Sequence, residues 1–162
     1  VISSELIEWV SVFAKEKNIL TSVDPKKINF SSYKNITLFK PNFKEFTEGL
    51  KADINKSDLK TLEMFAQGFI KDNNIDILMI TLSEKGVFIA NKLQSIHFPA
   101  EVRDISDVSG AGDTVISVAS LLLASDASLG EIAFISNIAG GLVCEKTGVV
   151  PINCDDLLNE FE

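Results

Sequence analysis

Two cysteines, four prolines, one histidine and one tryptophan in 162 residues leave few of the usual diagnostic side chains. Cys144 and Cys154 are too few and too isolated for a disulfide framework or a zinc site, and read as reduced thiols of a cytosolic protein. Positive charge is also short. Fifteen Lys and Arg against 23 Asp and Glu give a net charge of -8, which excludes a general nucleic-acid binder with a basic footprint. It leaves open a local anion pocket, which needs only a few oriented groups. No apolar run reaches the ~18 residues of a membrane span. The longest, residues 115–124, is closed off by Asp126 and Glu131. Signal peptide, internal repeat, low-complexity tract and interdomain linker are all missing, so the expected location is the cytoplasm. The sequence opens on Val1 inside an amphipathic pattern, as a partial chain would.

What is present is the composition of one globular domain: 46% hydrophobic and 23% charged. "SSELIEWVSVFAKEKN" predicts a helix with Leu6, Trp9, Val10 and Phe13 on one face. "ILTSVDP" and "ITLFKPN" predict strands stopped by Pro25 and by Pro41-Asn42. "SDLKTLEMFAQGFIKDNN" predicts a helix capped by Ser57, with Leu59, Leu62, Phe65, Phe69 and Ile70 as its buried stripe and Met64 in the core beside them. "IDILMITL" (75–82) is a strand covered on both faces, "SEKG" a turn, "VFIAN" its return, and "SIHFPAEVRDIS" one or two more extended pieces. From Gly112 the pattern is helical: one helix to 124, a second opened by the Ser128–Glu131 capping box and stopped at Gly148, and a short third in "DDLLNEF". Helices alternating with strands predict an α/β fold with a mainly parallel sheet.

Ligands of such sheets gather at the carboxyl ends of strands. Three segments place polar chemistry there: Pro41-Asn42 with Glu45, Thr81-Leu82-Ser83 with Gly86, and "DVSGAGDT" (107–114). Glycines at 110 and 112 let backbone amides turn inward, and a helix starting there offers free N–H groups and the positive end of its dipole to an anion. Asp113, ionised in that first turn, has the chemistry to accept a hydroxyl proton as the oxygen attacks phosphorus. Taken alone, the string reads as a glycine-rich helix start with Asp113 as its capping acid. It is neither a P-loop, since no Gly-Lys-Ser/Thr follows, nor a dinucleotide fingerprint. Asn42 doubles as an Asx turn after proline and Glu45 as a first-turn helix acid. Lys40 reads as an exposed strand-end lysine, Asp24 and Lys26 as part of a surface turn "DPKK", and His97 as a partly buried strand histidine.

"DVSGAGDT" resembles the D-T-x-G-A-G-D signature of ribokinase-like (PfkB-type) carbohydrate kinases, with Val108 in place of the threonine. "KPNFKEF" resembles that family's P-N-x-x-E element, and "TLSEKG" its T-x-G-x-x-G nucleotide loop, with Ser83 at the middle glycine. "SNIAGGLVCEKTGVVP" resembles its adenine-side helix and following loop, and the stretch from Val23 to Phe46 looks most like the heptose-7-phosphate kinases that feed ADP-heptose synthesis for lipopolysaccharide. The resemblance implies a three-layer α/β/α ribokinase-like fold and roles for particular residues. Asp113 matches the catalytic base, and Gly110, Ala111 and Gly112 match the anion hole. Asn42, Thr81, Ser83, Gly86 and Asn137 match nucleotide contacts, and Glu45 matches a magnesium residue acting through water. Asp107 and Ser109 match a monovalent-cation loop for potassium, completed from around Thr147–Val150. ATP, Mg2+ and a sugar or sugar phosphate are the implied partners.

Family members have about twice this length, and the strands, β lid and sugar motif of their first half do not occur upstream of Val1. Residues 1–162 therefore correspond to the C-terminal, ATP-binding and catalytic part of one kinase domain. An unpaired edge or apolar face then favours self-association. Two readings follow: a sugar kinase that works with its other half present, or a non-catalytic nucleotide-binding piece. A kinase of ribokinase or fructokinase type with another sugar is the variant of the first.

Overall fold

The computed structural model describes residues 2–162, which form six α-helices and five β-strands. The chain divides into two compact units, Val1–Leu82 with Phe88–Ile96, and Ser83–Val87 with His97–Glu162.

The first unit begins with α1 (Ser4–Glu16), where the Ser3 hydroxyl accepts the Leu6 amide and Glu5 and Lys15 complement the helix dipole. Strands β1 (Ser22–Val23), β2 (Leu38–Phe39) and β3 (Ile77–Thr81) pair in parallel, with Ser22 opposite Leu38 and Leu38 opposite Ile77. β4 (Val87–Asn91) and β5 (Ser95–Phe98) complete the sheet in the order β1-β2-β3-β4-β5. β1 and β2 are shorter than their apolar runs because Thr21 and Thr37 exchange side-chain bonds: each hydroxyl accepts the other residue's amide, at 3.1 and 3.0 Å. α2 (Phe43–Leu50) and α3 (Leu59–Asn73) close a core in which Phe30, Phe39, Phe46 and Phe69 pack with ring centroids 5.2 to 6.5 Å apart.

Three expectations need correction in this unit, and α1 shows which of its faces is buried. The cap of α3 is Asp58, not Ser57: its Oδ1 accepts the Thr61 amide at 3.1 Å, since a cap must reach the third helical residue. Met64 is 63% exposed, because the stripe through Leu62, Ala66, Phe69 and Ile70 turns it outward. The α1 face carrying Leu6, Trp9, Val10 and Phe13 is exposed, with Trp9 and Phe13 stacked at 5.5 Å; Ile7, Ser11 and Ala14 are the residues it buries. Lys40 is only 2% exposed.

The second unit is built on α4 (Ala111–Ala124) and α5 (Leu129–Cys144). The two pack so closely that a Cβ on Gly140 would stand 2.7 Å from Val115 Cγ2. Ser128 and Glu131 form the expected capping box. α5 stops at Cys144 rather than Gly148, because the Ser106 and Asp107 amides take the Cys144 carbonyl at 2.8 and 3.1 Å. α6 (Cys154–Asn159) follows. Residues 99–110 form an irregular strap, so "SIHFPAEVRDIS" supplies one strand only. Among the described residues no helix is long and apolar enough to cross a membrane.

Candidate active site

In the first unit the strand ends bring six polar residues together. Asn42 caps α2 in a full capping box: its Oδ1 accepts the Glu45 amide and Glu45 Oε2 accepts the Asn42 amide, both at 2.8 Å. The helix-end reading of these two residues is therefore what the geometry shows. The cap holds each side chain still and leaves Glu45 Oε1 turned to Lys26 Nζ at 3.9 Å. Thr81 bridges Asn42 in parallel, and its amide donates to the Pro41 carbonyl at 3.2 Å. Lys26 also lies 3.7 Å from Asp24 Oδ2, while Asp24 Oδ1 faces the buried Lys40 at 3.4 Å. Lys40 runs from the end of β2, and an ammonium so buried requires a carboxylate partner. The sequence gives no sign of this, since Asp24 and Lys40 are remote in the chain and meet only because β1 and β2 are adjacent.

The second unit carries the remaining residues. Ser83 opens a single 3-10 turn (Ser83–Lys85) in the left-handed region, φ 55°. Gly86 ends it at φ 84°, where a Cβ would stand 2.1 Å from the Phe98 carbonyl oxygen, so glycine is required there. His97, half-buried in β5, places Nε2 2.7 Å from the Lys85 carbonyl and supports this turn. Asn137, on α5, donates from Nδ2 to the Pro99 carbonyl at 2.9 Å, so its amide holds the strap.

α4 starts as its glycines imply. Gly110 is the cap, left-handed at φ 81° and without a side chain to close the end. The Ala111 amide turns back to the Val108 carbonyl at 3.3 Å, whereas the Gly112 and Asp113 amides meet no acceptor among the described residues. Asp113 is exposed in the first turn, with no side-chain partner among the described residues. Asp107 sits just ahead. Its Oδ1 accepts the Ser109 amide at 2.9 Å and its Oδ2 the Gly148 amide at 3.1 Å, which brings the 107–109 and 147–150 segments together. The bonds from Ser109, more than the one from Gly148, hold its carboxyl below the usual carboxylate range. Arg103, which sequence reasoning passed over, anchors the strap through Glu101, Glu145 and Glu160.

The first unit carries parallel strands β1–β3 with polar residues at their carboxyl ends, and the second a helix opened by a left-handed glycine with two amides free among the described residues; each feature suits an α/β protein that handles phosphate. The family model for pfkB family carbohydrate kinases matches residues 5–154, and the chain belongs to that family. Among curated proteins it is similar to the bifunctional protein HldE of Syntrophotalea carbinolica, 35% identical over 97% of this chain and 32% of that protein. HldE of Shewanella baltica strain OS185 is 36% identical over 90% of this chain and 30% of that protein. Among solved structures, phosphofructokinase-2 of Escherichia coli in complex with potassium aligns with a TM-score of 0.86 at 21% identity, covering 98% of this chain and 52% of that one. Ribokinase of Arabidopsis thaliana complexed with ribose and ATP aligns at 0.83 and 16% identity, with 98% and 52% covered. These two likenesses establish the ribokinase-like fold. The chain spans about a third of the curated relatives it matches and about half of the solved ones.

Proposed function

We propose that residues 1–162 form the ATP-binding and catalytic part of a kinase that transfers the γ-phosphoryl group of ATP to a hydroxyl of a sugar phosphate in the cytoplasm. The anomeric hydroxyl of heptose 7-phosphate is the acceptor that the resemblance and the HldE relatives favour. One observation carries the reading: α4 opens at a left-handed Gly110 with two unengaged amides, and the exposed Asp113 carboxylate stands in the same turn.

Chemically, the Gly112 and Asp113 amides face the γ-phosphoryl oxygens as charge builds on them, and the α4 dipole adds to their field. Asp113 takes the proton of the attacking hydroxyl, that oxygen bonds to phosphorus, and the bond to the leaving ADP oxygen breaks. Asn42, Thr81, Ser83, Gly86 and Asn137 are the proposed nucleotide contacts. Asn137 and Gly86 act by fixing backbone, given the bonds they make and the space they leave.

The donors fit magnesium. Among the described residues no three His, Cys, Asp or Glu side chains converge, so a direct cage is absent. A hydrated Mg2+ that keeps its waters and phosphates needs only one or two carboxylates. Glu45 and Asp24, both gathered about Lys26, would hold it through water. Bound there, the ion supplies neutralisation of the phosphate charge. Asp107, Ser109 and the 147–150 turn are proposed to hold a monovalent cation.

The test is Mg2+-dependent ADP release by the complete protein over a panel of sugars and sugar phosphates. Asp113→Asn is expected to lower kcat by about 10²- to 10⁴-fold, the usual worth of a general base. An unchanged kcat would remove the base. ATP binding without turnover on any sugar would favour the non-catalytic reading.

A further inference from the structure

We propose that Arg103 is a positioning residue for the phosphate end of this site, clamping the 99–110 strap to the carboxyl end of α5 and thereby fixing the first turn of α4. The inference rests on the kinase reading above. The strap has no apolar anchor of its own: Val102 and Ile105, its large hydrophobic side chains between Ala100 and Ser106, are exposed. Arg103 is the single residue of 101–106 that is not exposed, and its side chain keeps 9% of its surface.

The partners of the guanidinium come from three places. Nη2 donates to Glu101 Oε2 at 2.5 Å within the strap and to Glu160 Oε2 at the end of α6; Nη1 donates to Glu145 Oε1, just past the end of α5, at 3.2 Å. An exposed pair of this kind contributes little, but a guanidinium withdrawn from water holds its fork geometry firmly. Those carboxylates keep Arg103 charged at any working pH. Its stem lies on α5 where Gly141 leaves room, since a Cβ there would stand 3.0 Å from both Cδ and Nε.

Other bonds transmit this grip toward the reacting end. Four residues further on, the Asp107 amide and carboxylate tie to the Cys144 carbonyl and the Gly148 amide, and Ser109 and Gly110 follow directly. At the other end the strap is pinned by Asn137 at Pro99. Between these pins Arg103 is the one side chain that settles how the strap lies on α5, and thus how the Gly110 cap enters α4. Misplacing a phosphate cradle by about 1 Å is enough for a large rate loss.

Removing Arg103 alone leaves three carboxylates facing one another, so the deciding variant is charge-balanced: Arg103→Met with Glu160→Gln, which removes one positive and one negative charge together. In the complete protein it is expected to lower kcat about ten- to a hundred-fold while KM for ATP changes less than about two-fold. Amide exchange at Ser109, Gly112 and Asp113 should quicken, with Ala119 on α4 still protected. Gly141→Ala, which adds helix propensity while crowding the stem, should lower kcat without lowering the melting temperature. Arg103→Lys, lacking the fork, should fall between wild type and the balanced variant. Wild-type kcat and wild-type exchange in the balanced variant would overturn the proposal, as would a kcat loss matched by an equal rise in KM. Asp113→Asn is measured alongside. If it turns over normally the base assignment fails, while exchange at 109–113 still judges Arg103.

Discussion

The Asp24–Lys40 pair yields the sharpest prediction, because its two members are buried to different degrees. Lys40 keeps 3% of its side-chain surface and faces Asp24 Oδ1 at 3.4 Å; Asp24 keeps 21% and is also 3.7 Å from Lys26. Asp24→Asn therefore strands a charged ammonium away from water, and no other carboxylate is within 4.0 Å of it among the described residues. Breaking a buried pair from one side costs about 3–5 kcal/mol, reduced here because Asp24 is partly wet, so about 2–4 kcal/mol is expected. Lys40→Met removes the buried charge itself, keeps most of the stem volume and leaves Asp24 with Lys26 and water. Its expected cost is about 0–1 kcal/mol. The double variant should resemble Lys40→Met rather than the sum, which gives a coupling of about 2–4 kcal/mol in a double-mutant cycle.

Equilibrium urea unfolding is the assay. With a slope of about 2 kcal/mol per molar, Asp24→Asn should move the midpoint down by about 1–2 M and Lys40→Met by less than about 0.5 M. Equal losses in the two single variants would refute the reasoning, since they would make the contact a matter of packing rather than of a stranded charge. So would an Asp24→Asn midpoint indistinguishable from wild type.

Gly86→Ala should cost about 2–5 kcal/mol, combining a left-handed non-glycine residue with a Cβ driven to 2.1 Å of the Phe98 carbonyl, and differential scanning calorimetry should read it as a large drop in Tm. Ser136 is fully buried on α5 and its hydroxyl has no partner among the described residues, so Ser136→Ala should be neutral or raise stability by about 1 kcal/mol in the same assay. Asp107 has a folded pKa below its unfolded value, so the stability it adds is present above the unfolded pKa and is lost as pH falls through the folded one. Its contribution should accordingly disappear below about pH 4, and Asp107→Asn should flatten the acid limb of a stability-against-pH curve.

How much of this was written in the sequence depends on the range of the interactions concerned. Asn42 and Glu45, read separately as a turn residue and a first-turn acid, are joined into a capping box only in the fold, whereas the box of Ser128 and Glu131 spans three residues and is legible because its partners are fixed by helix geometry alone. The Gly110 cap belongs to the same kind, since a left-handed helix start selects glycine with no outside help. Even so, a capping choice one residue apart, Ser57 against Asp58, turned on which oxygen reached the Thr61 amide. Helical spacing correctly gathered Leu6, Trp9, Val10 and Phe13 on one face, yet periodicity carries no information about which face finds a partner, and the unit buries the smaller Ile7, Ser11 and Ala14 instead.

The residues that sequence reasoning placed at the surface, Lys40, or passed over, Arg103, share one physical trait. Each is a cation whose burial is made tolerable only by carboxylates from other elements: Asp24 across a parallel strand pair, or Glu145 and Glu160, 42 and 57 positions further along the chain from Arg103. Composition counts such a lysine or arginine with the solvated charges, which is right for most of them. A motif, by contrast, marks the groups that meet the ligand and is silent on those that hold them in place. The glycine-acid string at 110–113 could thus be read directly as a helix start, as the left-handed Gly110 cap shows, whereas the strap ahead of it is a property of the fold, and its arginine becomes visible only once α5, α6 and the 99–110 segment are assembled around it.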